Sequence, residues 1–252
     1  MSEVYKYRIK LETLSALALS PRAQSGIYQK EVIYPFYQYG TYQKYAPEQT
    51  QYYIPGSSIK GAMATDCIRG FLVDDIRVAS KDLELRTLRK VQHIPEVGSA
   101  SDNRRAMKIE DFFPNIKMEI LKSGVIYSGN FVFPQNPTEI LKRTKEQTEE
   151  RVNQMVDWLE RVLMTEPVSE MNNGYDTEEK CRKELCEMKS NLEVLLEESK
   201  TIHKDEFLLL LGGYKGLILS GVYNAKKTSS IYIDEDRKLP YGIVRIGLEY
   251  DE

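Results

Sequence analysis

The chain has 252 residues, 41% hydrophobic and 29% charged, with a formal net charge of −3. That length buries a sizeable core in one large domain, or one domain with an insertion, and the near-neutral balance by itself says little about nucleic acid: it is compatible with RNA, yet far from the strong basic stripe of a protein that binds nucleic acid unaided. The charge is uneven, however: residues 138–206 carry 18 acidic against 11 basic side chains, a net −7 that leaves a mildly basic +4 on the remainder. Cys67, Cys181 and Cys186 lack a zinc spacing, which fits a reducing compartment. No secretory segment opens the chain, and no apolar run approaches the roughly 18 residues of a membrane span. A soluble cytoplasmic protein without membrane contact is expected.

Tyr5, Tyr7, Ile9 and Leu11 alternate with Lys6, Arg8 and Lys10, the pattern of a half-buried strand. Residues 14–26 lose that alternation, contain Pro21 and Gly26, and are expected to form a loop. Eight of the 17 tyrosines then fall between Tyr28 and Tyr53. Their side chains could stack on bases, pack a hairpin or meet a neighbouring subunit; strand spacing favours the last two uses.

Tyr52, Tyr53 and Ile54 end a strand, Pro55 and Gly56 turn the chain, and Ser57 or Ser58 is placed to cap a helix. Its expected apolar face is Ile59, Ala62, Met63, Cys67 and Phe71. Unpaired amides at such a start attract anions, Gly56 and Gly61 permit close backbone approach, and Lys60 adds a mobile charge in the first turn. The same residues also suit an ordinary capped helix, so local chemistry leaves both a phosphate cradle and a plain cap open.

Residues 73–90 are charged and lead to a Gly-, Ser- and Asn-rich stretch, 98–103, expected to be an exposed loop. Arg104 and Arg105 at its end could contact phosphate or simply be solvated. Residues 107–111, 116–120 and 125–133 follow as strands, closed off by Pro134 and Pro137.

From Thr138 the period changes to that of a helix. Val152, Met155, Val156, Leu159, Val162 and Leu163 make one apolar stripe; Cys181, Leu185, Met188, Leu192 and Leu195 make a second. An αα-hairpin at about 138–206 is expected, with an acidic outer face that repels an RNA backbone. Residues 207–211 resume β-structure, and Gly212, Gly213 and Gly216 follow with Lys215 among them. These glycines permit close approach to a polynucleotide, and Lys226 and Lys227 add charge nearby. The full phosphate-binding-loop spacing is absent, which argues against a nucleotide hydrolase. Val244, Ile246, Leu248 and Tyr250 alternate in a closing strand.

Ile54-Pro55-Gly56-Ser57-Ser58-Ile59-Lys60-Gly61 resembles the signature of the RAMP superfamily of CRISPR-associated proteins. Leu211-Gly212-Gly213-Tyr214-Lys215-Gly216 is similar to that family's C-terminal glycine-rich loop, and residues 107–111 resemble the strand and aspartate after its first helix. The resemblance implies an α+β, ferredoxin-like (RRM-like) RAMP core, here a single domain over residues 1–252 carrying the helical hairpin. It further implies an antiviral-defence role as a guide RNA-binding structural subunit of a type III effector complex. The late helices, the glycine loop and the ending Leu239-Pro240-Tyr241-Gly242 are most similar to the subunit capping the backbone of Csm (type III-A) complexes near the guide 3′ end. A Cmr-type backbone subunit is an alternative. Implied partners are guide RNA, other RAMP subunits and, indirectly, target RNA. Gly56, Ser57, Ser58, Lys60, Gly61, Arg104, Arg105, Gly212, Gly213, Lys215 and Gly216 are the implied RNA-binding residues.

Family members that cleave target RNA use an aspartate before the Ile-Pro-Gly-Ser-Ser stretch. Here the first aspartate of the chain is Asp66, and Glu31 and Glu48 do not match the pattern. Metal-free cleavage needs an acid and a base, for which the chain offers only His93 and His203, far apart in sequence. The expectation is therefore no catalytic residue, no metal and no cofactor, with a RAMP endoribonuclease as the alternative.

Overall fold

Ile9, Leu11 and Thr13 are fully buried while Lys6, Arg8 and Lys10 are exposed, so the alternation of the first strand separates core from solvent as period-two geometry requires. The computed structural model describes residues 4–21, 24–40, 44–63, 70–95, 105–168, 175–201, 205–222 and 231–250. In chain order its strands are β1 (Tyr5–Thr13), β2 (Gly26–Tyr28), β3 (Glu31–Tyr34), β4 (Tyr52–Ile54), β5 (Leu72–Val73), β6 (Ile76–Val78), β7 (Leu83–Arg86), β8 (Arg89–Gln92), β9 (Lys108–Asp111), β10 (Ile116–Leu121), β11 (Ile126–Phe133), β12 (Glu206–Leu210), β13 (Tyr232–Ile233) and β14 (Ile243–Tyr250). The helices are α1 (Gly56–Ala62), α2 (Thr138–Leu163) and α3 (Tyr175–Thr201). The protein is α+β. Among the described residues, no helix is long and apolar enough to cross a membrane.

The largest sheet has the order β12-β14-β1-β11-β5, with every neighbouring pair antiparallel. A second sheet, β2-β3-β10-β7, contains one parallel pair, β3 with β10; β13-β8-β9 and β4-β6 are smaller. Consecutive strands β10 and β11 thus enter different sheets. The charged stretch 73–90, for which no strand was expected, supplies parts of all four sheets. Its strands are too short for the period to stand out, and they are held by partners distant in sequence, such as Leu121 opposite Leu83.

The segment at 14–21 is irregular, as the loop expectation has it, but it is largely buried rather than a surface connection. Ser15, Ala16, Leu17 and Ala18 are buried, and their backbone groups bond to Ile243, Gly242, Leu121 and Gly213 rather than to water. Buried backbone polar groups must be paired, so this irregular stretch serves as a junction between the sheets and the glycine loop.

The first helix is shorter than expected. It begins at Gly56 with Pro55 as its N-cap, neither Ser57 nor Ser58 caps it, and the described helix ends at Ala62. Proline suits that end, because its fixed φ and missing N–H cost nothing where the first amides have no intrahelical partner. Phe71 lies beyond the helix and stacks on Phe133 in the main core, with ring centroids 4.3 Å apart. Cys67 lies outside the described residues, as does the 98–103 stretch.

Both helical stripes are buried as their spacing implies, with Leu163 and Leu195 partly buried and Leu196 more deeply so than Leu195. Arg182 of α3 donates to the Leu163 carbonyl at the end of α2 (3.0 Å), and Ser199 near the end of α3 donates to Glu149 of α2 (3.0 Å), so the helices are antiparallel. Together they cover a second core that includes Leu210 and Ile243, while Leu209, Val244 and Ile246 face the first. Burial on both faces explains why residues 207–211 read as one apolar run.

Candidate functional site

The two glycine-bearing stretches are about 150 residues apart in sequence, yet they line one cleft of about 740 Å³. Ser58, Gly61 and Ala62 of α1 form one wall; Gly212, Gly213, Tyr214 and Lys215 form another. The buried junction contributes Ala18, Leu19 and Ser20, the tyrosine-rich stretch contributes Tyr34 and Tyr37, and α2 contributes Arg151. Among the described residues, no carboxylate lines it. Arg151 and Lys215 leave the cleft positively charged inside a chain that is negative overall.

The backbone of the loop is shaped to present Lys215. Gly212 has φ +79°, and a Cβ there would meet the Ala18 carbonyl oxygen at 2.6 Å. Gly242, at φ +85°, lies under the lysine: a Cβ would meet Leu211 O at 2.1 Å and Lys215 Cγ at 3.2 Å. Both positions demand glycine sterically and conformationally. The Lys215 ammonium donates to Gly212 O (2.6 Å), and burial, with the nearby Arg151 charge second, pushes it down to about 8. A lysine held between desolvation and a like charge is stabilised by an incoming anion. Ser20 adds a hydroxyl whose oxygen is cut off from solvent and has no hydrogen-bond partner among the described residues; the Ser220 hydroxyl donates to Gly216 O (2.8 Å).

The other sequence candidates resolve differently. The Gly56 amide donates to Asp75 Oδ1 (2.8 Å), and a Cβ at Gly56 would meet Val73 O at 2.1 Å. Gly56 therefore admits the strand beside it, and Asp75 occupies the amide that a phosphate cradle would need. Lys60 is no mobile charge either: its ammonium donates to Phe71 O (2.8 Å) and ties the helix to the segment that follows. Gly213 has its amide bonded to Ala18 O (2.9 Å). Gly61 is the contrasting case, exposed at the cleft, with no atom within 4 Å of the place a Cβ would take. Ser57 is exposed, and neither it nor Gly216 is among the lining residues. Arg105 is exposed and does not line the cleft; Arg104, His203, Lys226 and Lys227 lie outside the described residues.

No protein-family model matches the chain, and no curated protein matches it in sequence. The geometry of the cleft and the motif resemblance are thus what bear on function.

Much of the tyrosine-rich stretch packs on itself. Tyr39 stacks on Tyr53 with centroids 4.3 Å apart, Tyr37 leans on Tyr53 at 5.9 Å, and Tyr28 meets Tyr45 at 4.9 Å. Glu119 anchors it from β10, accepting the Tyr52 hydroxyl (2.7 Å) and the Phe36 amide (3.0 Å), while burial raises the Glu119 carboxyl above its ordinary value. Glu31 is paired with Lys117 at 3.0 Å, and His93 is exposed. Among the described residues, no three of His, Cys, Asp and Glu are grouped as a metal ion would need.

Arg151 and Ser20 were not candidates from sequence, and Tyr34 and Tyr37 were considered only as members of the tyrosine-rich stretch. Arg151 lay hidden in an acidic helix between Glu150 and Val152. The only available signal was its basic charge beside an apolar stripe that must face the sheet.

Proposed function

We propose that the protein is a non-catalytic, guide RNA-binding structural subunit of a type III CRISPR effector complex, built on a ferredoxin-like RAMP core. One observation carries the reading: the two stretches that resemble RAMP motifs converge on one cleft that holds Arg151 and Lys215 and, among the described residues, no carboxylate. Such a cleft suits a phosphodiester backbone, because phosphate contacts need fixed cations and hydroxyl donors but no reactive group. The fold assignment draws support from the order β14-β1-β11-β5. With α1 between β1 and β5 and the α2–α3 pair between β11 and β14, the last strand lies beside the first and the third between first and second, as in a doubled βαβ sheet. The capping position near the guide 3′ end rests on the motif resemblance alone.

Lys215, pushed down to about 8, favours the ribonuclease alternative, since a proton donor or acceptor near neutrality suits general acid–base catalysis. Its immediate partners are a carbonyl and Arg151, and among the described residues no carboxylate or imidazole lines the cleft beside it. The test is purification of the chain alone and with its neighbouring gene products, followed by sequencing of retained small RNA. Guide RNA retained by the wild-type complex and lost with Arg151→Ala plus Lys215→Ala supports the assignment. Retention unchanged in that double variant contradicts it, and metal-independent cleavage of repeat RNA by the pure chain replaces it with the ribonuclease.

A further inference from the structure

Beside the basic cleft lies a second, smaller cavity of about 150 Å³ walled largely by apolar and aromatic side chains, among them Phe112, Phe113, Leu88 and Met118. Tyr34 and Tyr214 line both cavities. The two are therefore neighbours, with the tyrosine of the glycine loop as a shared wall. The small cavity is well below the roughly 300–1,000 Å³ of a drug-sized ligand site, so it has room for one ring system.

Two of its walls, Phe112 and Tyr214, are ordered by each other and by Tyr232, which is not a lining residue. Phe112, Tyr214 and Tyr232 meet edge-on in pairs, with centroids 5.1 to 6.2 Å apart, and the Lys90 ammonium lies 5.5 Å from the Phe112 ring centre. Phe113 departs from this economy. It is 55% exposed, sits 4.2 Å from the Phe112 ring, and holds a left-handed φ of +57° that a bulky residue adopts at a cost. A large ring kept in solvent in that conformation gains little packing within this chain; a flat partner against it would supply the missing contact.

We propose that this cavity is a nucleobase subsite: it takes one base of the strand whose phosphate Arg151 and Lys215 hold. The inference rests on the RNA-binding reading above. A nucleotide presents an anionic group and a flat ring side by side, matching the adjoining basic and aromatic cavities. An apolar protein side chain would fill the small cavity but bring no anion to the cations next door. Aromatic walls without a dedicated carboxylate or amide favour stacking over edge recognition, so the subsite is tolerant of base identity.

The test uses the complex purified with its neighbouring gene products and a fluorescein-labelled single-stranded RNA 12-mer, with a single abasic nucleotide walked along it. Phe113→Ala is expected to weaken binding by roughly five- to a hundredfold, the range for losing one base–aromatic stack, with an unchanged salt slope, because no phosphate contact is removed. One abasic position should reproduce the loss and show none further with the variant. Ultraviolet crosslinks of unmodified protein should fall in residues 105–121 and 206–222, which needs no variant to fold. Wild-type binding that is indifferent to Phe113→Ala and to every abasic position overturns the subsite while leaving RNA binding intact. Loss of a protein partner rather than RNA in Phe113→Ala overturns it in favour of an apolar side chain. Absence of any RNA binding by wild type removes both readings together.

Discussion

Raising the pH should loosen RNA from this protein in a way set by one side chain. Lys215 is pushed down to about 8 by burial, aided by Arg151, so it is about nine-tenths protonated at pH 7 and about one-tenth at pH 9. If the anion binds only the ammonium form, the dissociation constant scales as one plus ten to the power (pH − 8). It therefore rises about tenfold between pH 7 and pH 9, about 1.4 kcal/mol. The stability of the unliganded fold should move the other way. The folded value lies below the ordinary 10.5, so the fold penalises the charged form, and that penalty, complete below pH 8, is relieved as the pH climbs from about 8 to 10.5. Anisotropy titrations at constant ionic strength would read the first effect, using an oligomer of adenosine and cytidine whose bases do not lose protons in this window. Urea midpoints of wild type against Lys215→Met would read the second. Lys215→Arg keeps its charge at all these pH values and should flatten the binding profile. A flat wild-type profile, or an equal slope in Lys215→Arg, would refute the assignment of the lysine to the anion.

Two glycines of one motif should behave oppositely. Gly56→Ala drives a Cβ to 2.1 Å from Val73 O and should lower stability by about 3 kcal/mol or more, seen as a shifted urea midpoint. Gly61→Ala meets open space and should raise helix stability by up to about 1 kcal/mol, yet weaken RNA binding by narrowing the cleft. Lys60→Ala should cost about 1 kcal/mol of stability through the lost bond to Phe71 O, with an unchanged salt slope of RNA binding. The isolated chain should not cleave single-stranded RNA with or without divalent metal, and Glu31→Gln and His93→Ala should leave assembly-dependent activity intact. Cleavage by pure protein that any one of these substitutions abolishes would reverse the assignment.

Wherever a residue's role depends on its near neighbours, the amino-acid sequence carried it. The alternation of Ile9 and Leu11 with Arg8 and Lys10 settled a strand face, and the spacing of Val152, Met155, Leu159 and Val162 settled a buried helix face, because strand and helix periods are local geometry. The glycine stretches were visible for the same reason. Their use was not. Whether an amide or ammonium is free depends on what the rest of the chain brings to it: Asp75, 19 residues away, takes the Gly56 amide, and the Phe71 carbonyl takes Lys60. The stretch at 14–21 is the loop its sequence suggested, but its burial was hidden, because irregular backbone has no period and its partners at Leu121 and Ile243 are over 100 residues distant. Arg151 belongs to the cleft only because packing of its helix on the sheet turns it there. Charge counted along the chain assigned that helix to repulsion of RNA; charge placed in space put one of its cations beside Lys215, since electrostatic interaction follows distance through the fold rather than position in sequence.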